Sequence, residues 1–533
     1  MSVIVKTRRD FLQRIGQAGG YSAAFAAMQG LGLMPAAMAE SVPDLPHDAG
    51  KGTKVLILGG GIAGLVSAYE LGKAGFECRV LEARDRPGGR NWTVRDGTTI
   101  QFTDGFKQTA QWGTESYFNA GPARLPSIHK TMLGYCKELG VELEVEVNSS
   151  RSSFLVSDRA FNGKPIEQRQ AINDTRGHVA ELLAKCIHQN ALDQELTAED
   201  RERMLQFLKT YGDLKPDFAY RGSSRAGVSR LPGSGPVEEE LREPLDMHTL
   251  LDANFWSGMM FEEQLDMQAT MFQPVGGMDR IPYAFAKKLG RVVQYRSEVS
   301  EIRKTATGVR VVYTQAGHEK IAEADFCVCA LPIGILKSIP NDFAARVKTS
   351  IEPVNYADAY KIAWESKRFW ESEANIYGGI SFLSTGPINL VWYPSAKLFS
   401  DTGVLVSGYA QERGSELEKL STVEAKLAAS RAAVERLHPG FGKHLANPMY
   451  MNWGKIQYNL GSWVGRGGDF YSGAYKELTE PDDRFFFAGD HCSRVGAWQE
   501  GAALAAHRAI QMMGARMQSE KLIRTPKKLS VGA

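Results

Sequence analysis

The sequence predicts an α/β fold in which a nucleotide-binding domain is interrupted by other structure and completed near the C-terminus. Three observations predict it. Residues 55–58, Val-Leu-Ile-Leu, are an apolar run that meets Gly59-x-Gly61-x-x-Gly64, and the alanine- and leucine-bearing stretch to Ala74 then has helical character. A second strand-like run, 78–81, ends on Glu82. Much later, Arg484-Phe485-Phe486-Phe487-Ala488-Gly489-Asp490 again reads as a strand closing on glycine and an acid, with a helical stretch, 499–513, behind it.

Each part of the first unit has a physical job. The glycines serve a tight turn, a close approach of backbone to a pyrophosphate, and close packing of helix on sheet. The helix start offers free N–H groups and a positive dipole end to phosphates. Glu82 arrives about 20 residues on, where an acid can accept hydrogen bonds from a ribose diol. Strand, turn, helix, strand and acid in this order specify a Rossmann-like dinucleotide site.

At 533 residues the chain is long for one domain, and 43% hydrophobic with 23% charged residues is ordinary globular composition. A net charge of +2 without a long basic run gives no reason to expect nucleic acid. Thr7-Arg8-Arg9-Asp10-Phe11-Leu12, a mildly apolar Gly/Ala-rich stretch and Ala37-Met38-Ala39 read as a twin-arginine export signal over residues 1–39. The expected location is periplasmic or secreted, with no integral membrane segment in the mature chain. Export after folding makes the six cysteines poor disulfide candidates, and no cysteine or histidine spacing points to a metal.

The pattern weaves between domains. Residues 50–112, 268–345 and 450–520 are assigned to the nucleotide-binding domain, 113–165 and 346–449 to a mixed-sheet α+β domain that would bind substrate, and 166–267 to a mainly helical insertion. Residues 127–215 read as mostly helical and 216–245 as a polar loop. Residues 281–289 read as a helix leading into strands at 292–295, 298–302, 308–313 and 324–331. Strands at 389–393 and 404–409 and a helix at 422–437 are expected in the second domain.

After Glu82, the run Glu82-Ala83-Arg84-x-Arg86-Pro87-Gly88-Gly89-Arg90 adds a second glycine turn with cations. This resembles the FAD-binding signature of the flavin amine oxidase superfamily. So does Gly489-Asp490 followed by Ala497-Trp498-Gln499-Glu500-Gly501, whose acid at a sheet edge can bind a ribityl hydroxyl. By that resemblance Glu82 holds the adenosine ribose, Arg90 the pyrophosphate, and the backbone of Val299 lies near adenine. Gly59, Gly61, Ala63, Gly64, Ala83, Arg84, Gly89, Gly121, Pro122, Ala123, Arg124, Asp490, Ala497 and Trp498 would also line FAD. Residue 462 is serine where covalent-flavin members carry cysteine, so the implied FAD is noncovalent.

Within the superfamily, Ala120-Gly121-Pro122-Ala123-Arg124-Leu125-Pro126 looks like the segment of L-amino acid oxidases whose arginine binds the substrate carboxylate. A guanidinium fork matches a carboxylate bidentately. The resemblance gives Tyr409 a second carboxylate contact and Lys361 a water near the flavin. It makes Trp463 and Trp498 aromatic walls around the amine. His129 is a weak candidate for a base. The implied reaction is oxidative deamination of an L-amino acid by O2, giving a 2-oxo acid, ammonia and hydrogen peroxide, in a homodimer. An L-amino acid 2-monooxygenase giving the amide, an oxidase of uncarboxylated amines, and a flavin-containing binding protein without turnover remain open alternatives. The tryptophan pair favours a large apolar or aromatic side chain, whereas acids scattered through 190–265 leave room for a cationic one.

Overall fold

The structure is a computed structural model that describes residues 43–524 except 44, 190, 192–195 and 411–414. The residue 1–39 export signal lies outside the described residues. The apolar runs of the opening motif become the middle of a five-stranded parallel sheet, ordered Val293–Gln294, Glu77–Leu81, Lys54–Leu58, Phe326–Cys329, Phe485–Phe487. Strands buried on both faces need no polar alternation. Val55, Leu56, Ile57 and Leu58 accordingly are all buried. The helix Ile62–Lys73 packs on one face against the C-terminal helix Gln499–Arg524, where Ala503, Ala506 and Ala509 keep the surfaces close.

A seven-stranded mixed sheet forms the second layer system. Its order is Ile166–Glu167, Phe154–Val156, Gly379–Leu383, Leu390–Tyr393, Thr402–Ala410, Tyr360–Lys367, Ala446–Asn452. The helix Val423–Leu437 lies against it, and Trp364, Trp370 and Tyr393 fill the core between them. A three-stranded meander, Ser297–Lys304, Val309–Gln315 and His318–Ala324, extends the nucleotide half. A smaller antiparallel sheet places Met271–Pro274 between Leu125–Pro126 and Leu143–Glu146.

Three local readings need correction. Residues 127–215 are about half helical, but helices Lys130–Leu139, Gln168–His188 and Ala198–Tyr211 are separated by strands that the helical reading missed, Leu143–Glu146, Phe154–Val156 and Ile166–Glu167. These strands have two to four residues each, too short to show a period. The polar stretch 216–245 contains a small hairpin, Val228–Arg230 with Glu240–Leu241. The last helix runs eleven residues past 513, to Arg524. All six cysteines are unpaired. No helix among the described residues is long and apolar enough to cross a membrane.

Gly64 shows how tightly the first helix meets its strand. A Cβ there would lie 2.0 Å from the Gly59 carbonyl oxygen and 3.2 Å from Ile57 Cγ2. Gly64→Ala must push the helix off the sheet and is expected to cost about 1–3 kcal/mol. A lowered Tm by calorimetry checks this; an unchanged Tm would refute the packing argument.

Candidate functional site

The opening motif builds one end of a cavity of about 730 Å³. Gly59 turns with φ +98°, and the Gly88 N–H donates to the Gly60 carbonyl, so the two glycine turns are stitched together. Glu82 is buried, and its carboxylate accepts from the backbone N–H of Gly60 at 2.7 Å and of Arg84 at 2.9 Å. This holds the acid at the strand end with lone pairs to spare for a diol. Gly61, Ala63, Ala83, Arg84, Gly89 and Val299 lie on the same wall. Gly64 does not; its role is the packing described above.

The other end is assembled from residues hundreds of positions away. Gly121, Pro122, Lys361, Tyr409, Trp463, Gly489, Asp490, Ala497 and Trp498 all line the same cavity. A Cβ on Gly121 would sit 1.9 Å from the Arg90 carbonyl oxygen, so only glycine lets the two loops meet. Arg90 lines the cavity too, but its guanidinium is engaged by the Asp490 carboxylate and the Ser462 carbonyl. Burial raises the Asp490 pKa, yet Arg90 outweighs it and holds the carboxyl below its ordinary value. Asp490 Oδ2 is buried without a partner. Glu500, at the start of the last helix, accepts from the N–H groups of Thr131 and Met132 and so caps the helix Lys130–Leu139.

Ala123 and Arg124 are not on this wall. Ala123 faces a second cavity of about 310 Å³, and Lys361 lines both. Lys361 Nζ donates to the Asn119 carbonyl at 3.0 Å and the Gly121 carbonyl at 2.6 Å, pinning the turn that carries Arg124. Burial and the charge of Arg124 push its pKa down to about 7. Tyr409 sits opposite Lys361 in the sheet, its ring centroid 5.1 Å from Nζ.

Arg124 is 8% exposed. Its guanidinium donates to Asn148 Oδ1 at 2.5 Å and stacks 4.5 Å from the Trp392 ring centroid, with Phe261 at 5.7 Å. Among the described residues it makes no ion pair within 4 Å, although Glu146, Tyr409 and Asp266 are close enough to support its charge. The turn Leu265–Met267 is fastened over it: Trp498 Nε1 donates to Asp266 at 2.9 Å and Asn148 Nδ2 to the Met267 carbonyl at 2.9 Å. His129 packs edge-on to Trp498 at 4.9 Å, its Nδ1 is buried without a partner, and burial pushes its pKa down to about 4. Asn148, Glu146, Trp392 and Asp266 were not legible as site residues, since none lies in a motif.

The parallel sheet, the double glycine turn and the cavity define a dinucleotide-binding oxidoreductase architecture. The sequence matches the model of the flavin containing amine oxidoreductase family over residues 62–511, and the chain belongs to that family. A putative L-amino-acid oxidase of Bacillus subtilis is 26% identical over 484 residues, 84% of this chain and 92% of its own. The flavin-dependent L-tryptophan oxidase of Lentzea aerocolonigenes is 25% identical, covering 86% and 98%. The L-amino-acid oxidase of Notechis scutatus scutatus is 24% identical, covering 87% and 89%. In fold the chain is similar to putrescine oxidase (TM-score 0.56, 16% identity, 89% and 99% covered). It is also similar to cyclohexylamine oxidase from Brevibacterium oxydans (TM-score 0.58, 16% identity, 88% and 99% covered).

The protein is thus an FAD-dependent oxidoreductase, and its residues fit that cofactor. The held Glu82 carboxylate, the close glycines and the unpartnered Asp490 oxygen all lie on one cavity. Gly61 isolates the cofactor contribution. Its backbone (φ −74°, ψ −179°) suits any residue, and a Cβ there meets nothing within 4 Å of the protein. Gly61→Ala should therefore leave the fold intact yet weaken FAD by roughly tenfold or more, because the methyl enters the pyrophosphate's space. Flavin titration of the apoprotein measures this, and unchanged affinity would move the pyrophosphate elsewhere.

Proposed function

We propose that this enzyme oxidises an L-α-amino acid to the 2-oxo acid, ammonia and hydrogen peroxide, with dioxygen as electron acceptor. The observation that carries the reading is Arg124: a buried guanidinium beside Lys361 and Tyr409, with a neutral amide as hydrogen-bond partner and no ion pair among the described residues. A buried cation in this state suits a carboxylate. The L-amino-acid oxidases among its relatives support the same reading. Export through residues 1–39 and a homodimeric state are part of the proposal.

When bound, FAD supplies the two-electron oxidation of the substrate's Cα–N bond and the onward transfer to dioxygen. The chain supplies position. Arg124 and Tyr409 hold the carboxylate, and Lys361 holds the turn bearing Arg124 through two carbonyls. Trp463 and Trp498 wall the cavity and exclude water from the amine. A neutral amine is required, and buried surroundings disfavour ammonium. His129, kept neutral at pH 7 by burial, backs Trp498 and does not line the cavity. The imine product hydrolyses in water to the 2-oxo acid and ammonia.

Anaerobic bleaching of the flavin by a panel of the twenty L-amino acids tests the reading, with peroxide and amide both assayed in air. Arg124→Ala should lower kcat/KM for the best amino acid by about a hundredfold or more, the scale of truncating a buried charge partner. Amide and CO2 without peroxide would make the enzyme a monooxygenase. Oxidation of uncarboxylated amines unaffected by Arg124→Ala would make it an amine oxidase. No bleaching by any substrate would leave a flavin-binding protein.

A further inference from the structure

The small sheet brings to Arg124 a carboxylate that the proposed reaction does not use. Met271 pairs with Pro126 on one side and with Glu146 on the other. That register sets Glu146 level with Pro126, two residues along the sheet from Arg124, and close enough for its charge to act on the guanidinium. Glu146 is 4% exposed; Oε1 accepts from Trp392 Nε1 at 3.2 Å, and Oε2 is buried without a partner. Trp392 is the common neighbour, hydrogen-bonded to the acid and stacked by the guanidinium of Arg124. A buried carboxylate with an idle oxygen is held ionised only by nearby positive charge. Burial pushes the Glu146 pKa up to about 7 against the opposing pull of Arg124 and the indole N–H.

We propose that Glu146 is the internal counter-charge of Arg124 that a substrate carboxylate replaces, and that Glu146 takes up one proton as the carboxylate binds. The inference rests on Arg124 being the carboxylate-binding residue. A second carboxylate at one guanidinium is a like charge to Glu146 where solvent screens little, and protonating Glu146 removes the repulsion. The proton comes from solvent through the 310 Å³ cavity that Glu146 lines. Of the groups around it, Asn148 on Arg124 and Gln273 in the cavity are neutral. Asp266 and Tyr409 act on Arg124. Lys361 lines the same cavity and titrates in the same range, so it must be separated experimentally.

The sign follows from the equilibrium. Below about pH 7 Glu146 is already neutral and the carboxylate binds freely; above it, binding needs a proton and weakens as pH rises. The test uses holoenzyme and 3-phenylpropanoate, a carboxylate without an α-amino group, followed by flavin absorbance. Kd should rise about tenfold or more between about pH 6 and about pH 8.5 in the wild type and stay flat in Glu146→Gln, which keeps Lys361 in place. Proton uptake on binding, measured at about pH 8 in the wild type, should be present, a readout that does not require the Glu146 variant to fold. A pH-independent Kd, a slope that persists in Glu146→Gln, or no uptake would overturn the proposal. Binding unaffected by Arg124→Met would instead sink the reading of Arg124, which separates the two failures.

Discussion

The contact on which the site depends is the ion pair of Arg90 with Asp490, four hundred positions apart in sequence. It locks the second glycine turn of the opening motif to the carboxyl edge of the last parallel strand. The Ser462 carbonyl is bound by the same guanidinium, and beside it Asn91 Nδ2 donates to Gln499 Oε1 at 2.6 Å. Removing one partner of a buried pair leaves the other uncompensated, a loss of about 3–5 kcal/mol. The pair therefore couples cavity formation to docking of the C-terminal helix. The adenosine end of the cavity and its reacting end come from different parts of the chain, and Arg90–Asp490 is where they are joined.

The reacting end obeys a related electrostatic constraint. Arg124 and Lys361 are two buried basic groups within each other's field, and each is disfavoured as a cation by burial. The protein answers them differently. Lys361 is satisfied by two backbone carbonyls and is pushed towards neutrality, which spares the site a second fixed charge. Arg124 stays charged and is held by an amide, an indole face and a distant acid. Among the described residues it has no ion pair to give up, although it lines neither of the two cavities.

The nucleotide half was legible because its signals are local. A glycine turn between an apolar strand and a helix announces itself within ten residues, and both acid-ended strands lie where their motifs put them. Arg124 was legible through its turn, but its surroundings were not. Asn148, Trp392 and Asp266 reach it from three separate elements. Glu146 was masked by a misleading pattern: in 141–147 valine or leucine alternates with glutamate, which would place the acids outside. Docking of Met271–Pro274 and Trp392 inverts the last pair, so Val145 is 54% exposed and Glu146 is buried. Periodicity records which residues are apolar; it cannot record that a neighbouring cation has made burial of an acid tolerable.

That inversion bears on how one fold serves different amines. The architecture is shared with putrescine and cyclohexylamine oxidases, so the parallel sheet and the cavity around it cannot choose the substrate. The choice must lie in a few groups grafted onto the second sheet and the turn it holds. On the proposed reading these are a guanidinium just after Gly121-Pro122, an indole that stacks on it, and, from the small sheet, an acid that shares the indole. A cation alone in a buried site would be costly in the free enzyme. An acid fixed too close would hold the cation permanently and exclude the ligand. Glu146, near enough to act on Arg124 and beyond 4 Å of it, meets both demands. On the proposed reading, carboxylate recognition in this site is an exchange of one counter-charge for another, and the acid is as much a part of it as the arginine.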